Sequence, residues 1–454
     1  MRRIALHDTL SGTRQPLVPR QANRVGVYAC GPTVYGRIHV GNARPFVVFS
    51  LLKRFLEHEG YEVDLVVNIT DVNDKIYDAA REAGVASAQL AAEMTDDYRA
   101  DTDRLELGRP DHEPLASQTM PAIVALIGQL IDRGHAYVAD GDVYFAVRSD
   151  PRYGRLSHRD PDEMDQGEGL EGSERKRDPL DFALWKAHKE GEDTAWDSPW
   201  GRGRPGWHIE CSAMAEQLLG VGFEVHGGGS DLIFPHHENE AAQTRAARGV
   251  ELADIWMHNG MVQLAEQKMA KSVGNIRLLH VALDEYGRDA LVMYMCGGHY
   301  RQPLAFSARQ LEEAGSRAAR LREAGRRLAS GPSPPDLAPL RERFFDALAD
   351  DFNTAEAVAA MFEWVREANR RLEAGQTVGN AHLEEMLGVL GLRNLLESAA
   401  DDEPDARVRE LVERRERARR ARDFAAADRL RAQAEALGWE IRDRAAGPEL
   451  VRRA

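Results

Sequence analysis

The pattern of apolar and polar positions changes twice along the chain. Near the N-terminus, residues 24–30 (RVGVYAC) read as a strand. Residues 45–59 carry Phe46, Phe49, Leu52, Phe55 and Leu56 at helical spacing and close on Gly60, and residues 63–69 (VDLVVNI) form a nearly continuous apolar run. A strand, a helix and a strand buried on both faces make a βαβ unit and predict a parallel sheet. The loop 31–44 then lies at the C-terminal end of the first strand, where open α/β sheets bind ligands. From about 75 to 135 the pattern is helical, with an apolar stretch at 123–131, and residues 137–147 alternate like a hairpin strand. The polar, glycine-containing residues 160–177 read as a mobile loop. This region is expected to be an insertion, because parallel-sheet character resumes at 207–211 and again at 223–226. Beyond 310 the chain is almost wholly helical, with Gly331-Pro332-Ser333-Pro334-Pro335 as a linker and further helices over 340–396.

Length makes this a multidomain chain: 454 residues exceed what one core usually serves, so about three domains are expected. Lys+Arg 59 against Asp+Glu 74 leaves a net charge of −15, which argues against a surface that wraps nucleic acid throughout. The charge is uneven. Residues 406–454 hold fourteen Arg and nine Asp+Glu, a net of +5, so the rest of the chain carries −20. Such a run is often only a solvated helix face, but it also supplies a local basic surface. Cys30, Cys211 and Cys296 are too few and too scattered for a disulfide framework, and they read as free thiols or metal ligands of a reducing compartment, the cytoplasm. The N-terminus turns polar before a signal peptide could form, and no apolar run approaches the roughly 18 residues of a membrane span, so neither secretion nor insertion is expected.

Three constellations carry chemistry. In His39-Val40-Gly41-Asn42-Ala43-Arg44, free N–H groups at a helix start favour phosphate, Gly41 admits close approach, and His39 can donate to a phosphoryl oxygen. In Lys268-Met269-Ala270-Lys271-Ser272, two lysines three apart can set two charges on a polyphosphate. The third comprises Cys30, Cys211 and the run from His226 to Glu240. Pro235 is placed to open a helix that puts His236 and Glu240 on one face, and two thiolates, an imidazole and a carboxylate complete a tetrahedral zinc site. His237 could replace His236 as the partner of Glu240.

Taken together, Tyr28-Ala29-Cys30-Gly31-Pro32-Thr33-Val34-Tyr35 leading to His39-Val40-Gly41-Asn42, then Asn68-Ile69-Thr70-Asp71, Gly206-Trp207-His208-Ile209-Glu210-Cys211-Ser212, the His236/Glu240 segment and the lysine stretch resemble the cysteinyl-tRNA synthetases, class I enzymes. The match runs in order from Cys30 to about His299, and Asp351-Phe352-Asn353-Thr354 also fits the family. The resemblance implies a Rossmann-like parallel-sheet catalytic domain in two halves (1–120 and 190–260) with a connective insertion (121–189). A lysine-loop region (261–315), an α-helical tRNA-bracing domain (316–400) and a small basic anticodon-binding domain (401–454) would follow. It also implies one zinc ion on Cys30, Cys211, His236 and Glu240 that binds the substrate thiol. Gly31, Thr70 and Trp207 would line the amino-acid pocket, and Asp231 would lie near the ribose of ATP. His39, Asn42, Lys268 and Lys271 would act on the phosphates of ATP and its magnesium.

The implied activity is ATP-dependent formation of cysteinyl-adenylate and transfer of cysteine to the 3′-terminal adenosine of tRNA(Cys) by a cytoplasmic monomer. Trp439 would be available for stacking on RNA. Two positions depart from the family pattern. Asn42 stands where His-Ile-Gly-His has its second histidine, so it offers hydrogen bonds without charge. Ala270 replaces the first serine of the lysine motif while both lysines remain. A cysteine:amino-sugar ligase of mycothiol synthesis would share the catalytic architecture, but a small acceptor needs neither the helical extension nor the basic end. A zinc-stabilised RNA-binding protein would need neither His39 nor the lysines. Cys296 reads as a core thiol.

Overall fold

The chain opens with an antiparallel hairpin, β1 (Ala5–Asp8) and β2 (Thr13–Pro16), and then enters the expected βαβ unit: β3 (Arg24–Ala29), α1 (Val40–His58) and β4 (Glu62–Val67). These come from a computed structural model that describes residues 2–164, 173–264, 267–268, 277–397, 406–421, 423–437, 439–444 and 447–452. β3 and β4 pair in parallel, Val25 opposite Val63. Helix α1 starts five residues earlier than the apolar spacing indicates. Pro45 therefore lies inside it, near enough to the start that only the bond to Gly41 is lost.

Next come α2 (Asp74–Ala83), α3 (Ser87–Asp103) and α4 (Met120–Asp132). An antiparallel sheet follows, β5 (Ala136–Ala139), β6 (Asp142–Phe145), β7 (Phe182–Ala187) and β8 (Gly203–Pro205), in that order. The alternation at 137–147 is thus a hairpin. Its turn, Asp140-Gly141, has both residues at positive φ (51° and 85°). The polar loop expected at 160–177 lies partly outside the described residues, at 165–172.

Parallel-sheet character does not resume at 207–211. That stretch opens a helix, α5 (Trp207–Leu219), capped by Gly206 and ended by Gly220 at φ 78°. Consecutive residues His208 to Ala215 are all buried, because α5 is wedged between the parallel sheet and the inserted core. A helix buried on all sides shows no 3.6-residue stripe, which is why its start reads as a strand. The second strand pair does follow: β9 (Phe223–Gly229), α6 (Glu238–Arg248) and β10 (Ala253–Asn259).

The four parallel strands stand in the order β10-β9-β3-β4. From β3 the chain steps outward to β4 and from β9 outward to β10, so the order reverses between β3 and β9. That gap is the switch point where doubly wound sheets hold ligands. Phe49 of α1 covers one face, against Gly227, and Cys211, Met214 and Ala241 of α5 and α6 cover the other.

A smaller sheet follows: β11 (Val262–Leu264) pairs antiparallel with β12 (Gln267–Lys268) and parallel with β13 (Leu304–Phe306), which comes after α7 (Leu279–Met295). Then come α8 (Ala308–Arg327), α9 (Ala338–Ala349), α10 (Thr354–Glu373) and α11 (Ala381–Val389). The proline-rich linker is pinned rather than loose. Ala381 N–H donates to Gly331 O at 3.1 Å, and Ser333 Oγ donates to Gly379 O at 2.8 Å.

Asp351, fully buried in the left-handed turn between α9 and α10 (φ 64°), ties this helical region to β1 and to the segment 299–301. Its carboxylate accepts from His7 N–H (2.8 Å), Tyr300 OH (2.9 Å) and Arg301 (2.9 and 2.6 Å). Burial alone would raise its pKa; these donors, with His299, outweigh burial and hold it well below the usual carboxylate range. Its stabilising effect is therefore present above the unfolded-state value near pH 4 and is lost as pH falls further. Asp351→Asn is expected to cost about 3–5 kcal/mol at pH 7, by the breaking of a buried charged network, and the gap to the unaltered chain should narrow steadily as unfolding is followed from about pH 4 downward.

The chain divides into two compact units, Met1–Arg393 and Asn394–Ala454. The second holds α12 (Ala406–Arg420), α13 (Phe424–Ala436) and the antiparallel pair β14 (Trp439–Arg444) and β15 (Gly447–Arg452) around Leu411, Leu430, Ala434 and Ile441. Trp439 is 7% exposed and so is not available for stacking; Phe424, 62% exposed, is the accessible aromatic. Among the described residues, no helix is long and apolar enough to cross a membrane.

Candidate functional site

Parallel register builds the centre of the site. Tyr28 on β3 lies beside His226 on β9, and their rings stack at 5.1 Å. Side chains alternate along a strand, so Cys30, two residues on, points to the same face, and its N–H donates to Gly227 O at 2.9 Å across the switch point. From that face α5 presents Cys211, and α6 presents Glu240. Gly228, also on that face, leaves its space to Leu232 Cδ1 and the His237 ring, which a Cβ would meet at 2.9 and 3.3 Å.

The ligating atoms of Cys30, Cys211, His236 and Glu240 all lie within 4.8 Å of one another, and all four residues are buried. His236 precedes α6 rather than opening it; the turn at 233–237 is broken at Phe234. The two side chains converge all the same, His236 Nε2 lying 3.1 Å from Glu240 Oε1. A second set, Cys30, His226, His237 and Glu240, meets the same 4.8 Å limit, so the alternative offered by His237 survives in the geometry.

The donor set fits a soft divalent cation. Burial, followed by the nearness of Cys211 and Glu240, pushes the Cys30 thiol well up; burial likewise raises Cys211 and Glu240. Burial pushes His226, His236 and His237 well below the ordinary imidazole value, which leaves them neutral with a lone pair to give. Among the described residues Glu240 Oε2 accepts no hydrogen bond, although His226 Nε2 lies 3.4 Å away. A cation removes the reason for those upward shifts and partners that oxygen. His236 Nδ1 lies 2.9 Å from His208 Nδ1; with a cation on Nε2 the His236 proton would sit on Nδ1 and that contact would orient the imidazole. Trp207 stacks on His236 at 4.2 Å and fixes the ring plane.

Sequence reasoning names His226 and His237 but misses the contacts that lead outward from His237 through His258 to Thr9. A chain of contacts runs from Cys30 Sγ to His237 Nε2 (3.3 Å), from His237 Nδ1 to His258 Nε2 (2.7 Å), and from His258 Nδ1 to Thr9 Oγ1 (2.7 Å). The signal lay in histidines near the C-terminal ends of neighbouring strands, His226 on β9 and His258 on β10.

Around the cluster, Gly31 N–H donates to Asn68 Oδ1 at 2.9 Å, and Thr70 is buried with its hydroxyl donating to Glu210 Oε2 at 3.2 Å. Asp231 is exposed, two residues past the end of β9. His39 is the N-cap of α1. Its Nδ1 accepts from Asn42 N–H at 3.2 Å while Asn42 Oδ1 accepts from His39 N–H at 3.2 Å, a reciprocal cap made by His and Asn. Gly41 is required for it, since a Cβ there would sit 2.9 Å from the His39 ring. The cap also sets the tautomer: Nδ1 accepts, so the ring proton is on Nε2. Lys268 lies on β12, placed by pairing with Gln263; Lys271 and Ala270 fall outside the described residues. Cys296 is apart from the cluster, buried at the end of α7, with burial pushing its thiol up to about 12.

Residues 16–316 match the family model described as the tRNA synthetases class I (C) catalytic domain, and residues 343–394 match the DALR domain. Among curated relatives, the cysteine–tRNA ligase of Rubrobacter xylanophilus is 47% identical over 474 residues, covering 99% of this chain and all of the relative. That of Caldicellulosiruptor saccharolyticus is 42% identical over 465 residues, with 99% and 100% covered. Among solved structures, Mycobacterium tuberculosis methionyl-tRNA synthetase with methionyl-adenylate matches at TM-score 0.58 and 16% identity, covering 82% of this chain and 89% of that one. The Agrobacterium radiobacter LeuRS in its ternary complex matches at 0.59 and 12%, with 84% of each covered. At those identities the likeness is one of fold.

Proposed function

We propose, for a chain that belongs to the cysteine–tRNA ligase family of class I tRNA synthetases, that it joins L-cysteine to tRNA(Cys) through a cysteinyl-adenylate. The observation that carries the reading is the buried set Cys30, Cys211, His236 and Glu240 at the β3/β9 switch point, whose two sulfur donors suit zinc. Bound there, zinc would lower the pKa of the substrate thiol and favour sulfur over a serine hydroxyl. The stacked Trp207 and the tight Gly31–Asn68 contact shape the pocket beside the cluster, and Thr70 belongs to the hydrogen-bonded wall behind it.

Activation needs no general base, because the carboxylate of cysteine is already a nucleophile at neutral pH. It attacks the α-phosphorus of magnesium-bound ATP, and pyrophosphate leaves. His39, with its proton on Nε2, donates to the phosphates; Asn42, whose Oδ1 is used in the cap, keeps its NH2 as a donor. Lys268 and Lys271 offset the charge that builds on the leaving group, and Asp231 serves the ribose side. A ribose hydroxyl of the terminal adenosine then takes the cysteinyl group and AMP departs. The helical region would brace the tRNA, and the Arg-rich second unit would meet the anticodon.

The test is acceptor choice. Purified protein should catalyse cysteine-dependent ATP–pyrophosphate exchange and charge tRNA(Cys), while leaving glucosaminyl-inositol unmodified in a parallel assay. Exchange without acylation of any tRNA would overturn the reading, and cysteinylation of the amino sugar would assign the rival activity.

A further inference from the structure

Arg44, in the second turn of α1, is 1% exposed, and the hydrogen-bond partners it has among the described residues are backbone carbonyls rather than carboxylates. Nη1 donates to Gly260 O (2.6 Å) and Met261 O (3.1 Å). Nη2 donates to Gln302 O (2.7 Å), Tyr300 O (3.0 Å) and, more weakly, His299 O (3.4 Å). Burial draws its pKa down to about 10, so it stays charged at neutral pH.

Those carbonyls belong to two segments with one destination. Gly260-Met261 leads directly into β11, and Gln302 leads into β13. The two strands pair, Val262 beside Leu304, and β11 in turn fixes the backbone of Lys268 through its partner Gln263. The other side of the same helix start is tied as well: Val40 N–H donates to Arg277 O at 3.0 Å, and Leu279 N–H donates to Ile38 O at 3.0 Å. An apolar side chain would fill the volume of Arg44, but it would leave the carbonyls without donors, and a lysine offers one nitrogen where the guanidinium forks to two.

We infer that Arg44 is a positioning residue for the nucleotide: it fixes β11 and β12, and with them the backbone of Lys268, against the first turn of α1 where His39 and Asn42 stand. The inference rests on the reading of these residues as the phosphate side of the site.

Arg44→Lys is expected to raise KM for ATP in cysteine-dependent exchange by about tenfold, while KM for cysteine and the bound metal per chain stay within about twofold. A purely structural arginine would lower the active fraction without splitting the two KM values. Gly260→Ala attacks the same junction without touching Arg44, since its Cβ would sit 2.5 Å from the Gln302 carbonyl, and the same split is expected. Unchanged KM for ATP in folded Arg44→Lys, an equal rise for both substrates, or failure of both variants to fold would overturn the inference. Lys268→Ala in the same assay separates the two layers: if it behaves as the unaltered chain, the phosphate reading fails, whatever Arg44 does.

Discussion

Cys211→Ser is expected to release the bound metal and to lower cysteine-dependent ATP–pyrophosphate exchange by about 10³-fold, roughly 4 kcal/mol of transition-state stabilisation. The side chain is buried on α5 with its sulfur in the cluster, so the change swaps a soft donor for a hard one and alters little else in shape. Serine stays protonated near neutral pH, which leaves one thiolate, one imidazole and one carboxylate to hold the ion. Discrimination should fall with rate, because an apolar pocket separates near-isosteres by only ~10²-fold. Cys296→Ser supplies the control. That thiol is equally buried yet lies at the end of α7, so metal content and exchange should be retained. Full exchange by metal-free Cys211→Ser protein would refute the thiol-reading role.

How much of this was legible in the sequence depends on what each residue's identity had to satisfy. The members of the buried cluster stand out in the sequence because a soft metal would restrict the choice to a few residue types, wherever the backbone carries them. Cys30 reads as the last residue of the first strand, and it stands one residue past the end of β3. Cys211 reads as a strand residue and sits on a helix. Its neighbours Ile209 and Ala213 face the inserted core while Met214 and Ala215 face the sheet, so burial on two sides erased the helical period. The start of α1 was misplaced for a related reason. His39 and Asn42 replace the usual Ser/Glu of a capping box, and Pro45 looks like a beginning although it stands in the second turn. Arg44 and Asp351 are unreadable as structural residues, because their partners lie 216 or more residues away in one case and 50, 51 and 344 residues away in the other. The −15 overall charge argues only against nucleic acid wrapping the whole surface; a local contact is compatible with it, because the +5 of residues 406–454 is carried by the separate second unit.

The position with the least tolerance in the site is Gly31. Beyond the end of β3 and β4 the two chains stay together: Thr33 bridges Thr70, Val34 N–H donates to Thr70 O at 3.1 Å, and Thr70 N–H donates to Pro32 O at 3.0 Å. A Cβ at Gly31 would fall 1.8 Å from Asn68 O and 3.1 Å from Val67 Cγ1. Both are held by the sheet, so relief requires the two chains to part by more than an ångström near Cys30 on one side and Thr70 on the other. Displacement of reacting groups by about 1 Å is enough to cost about 10²-fold in rate. Gly31→Ala is therefore expected to lose about that much kcat/KM for cysteine in exchange, with KM for ATP changed much less. The split follows from where the wedge acts: it opens the amino-acid side of the sheet edge and leaves the cap of α1 untouched. Steady-state exchange decides it, and a Gly31→Ala chain with unaltered kcat/KM for cysteine would show that the contact between residues 31 and 68 does not shape the pocket.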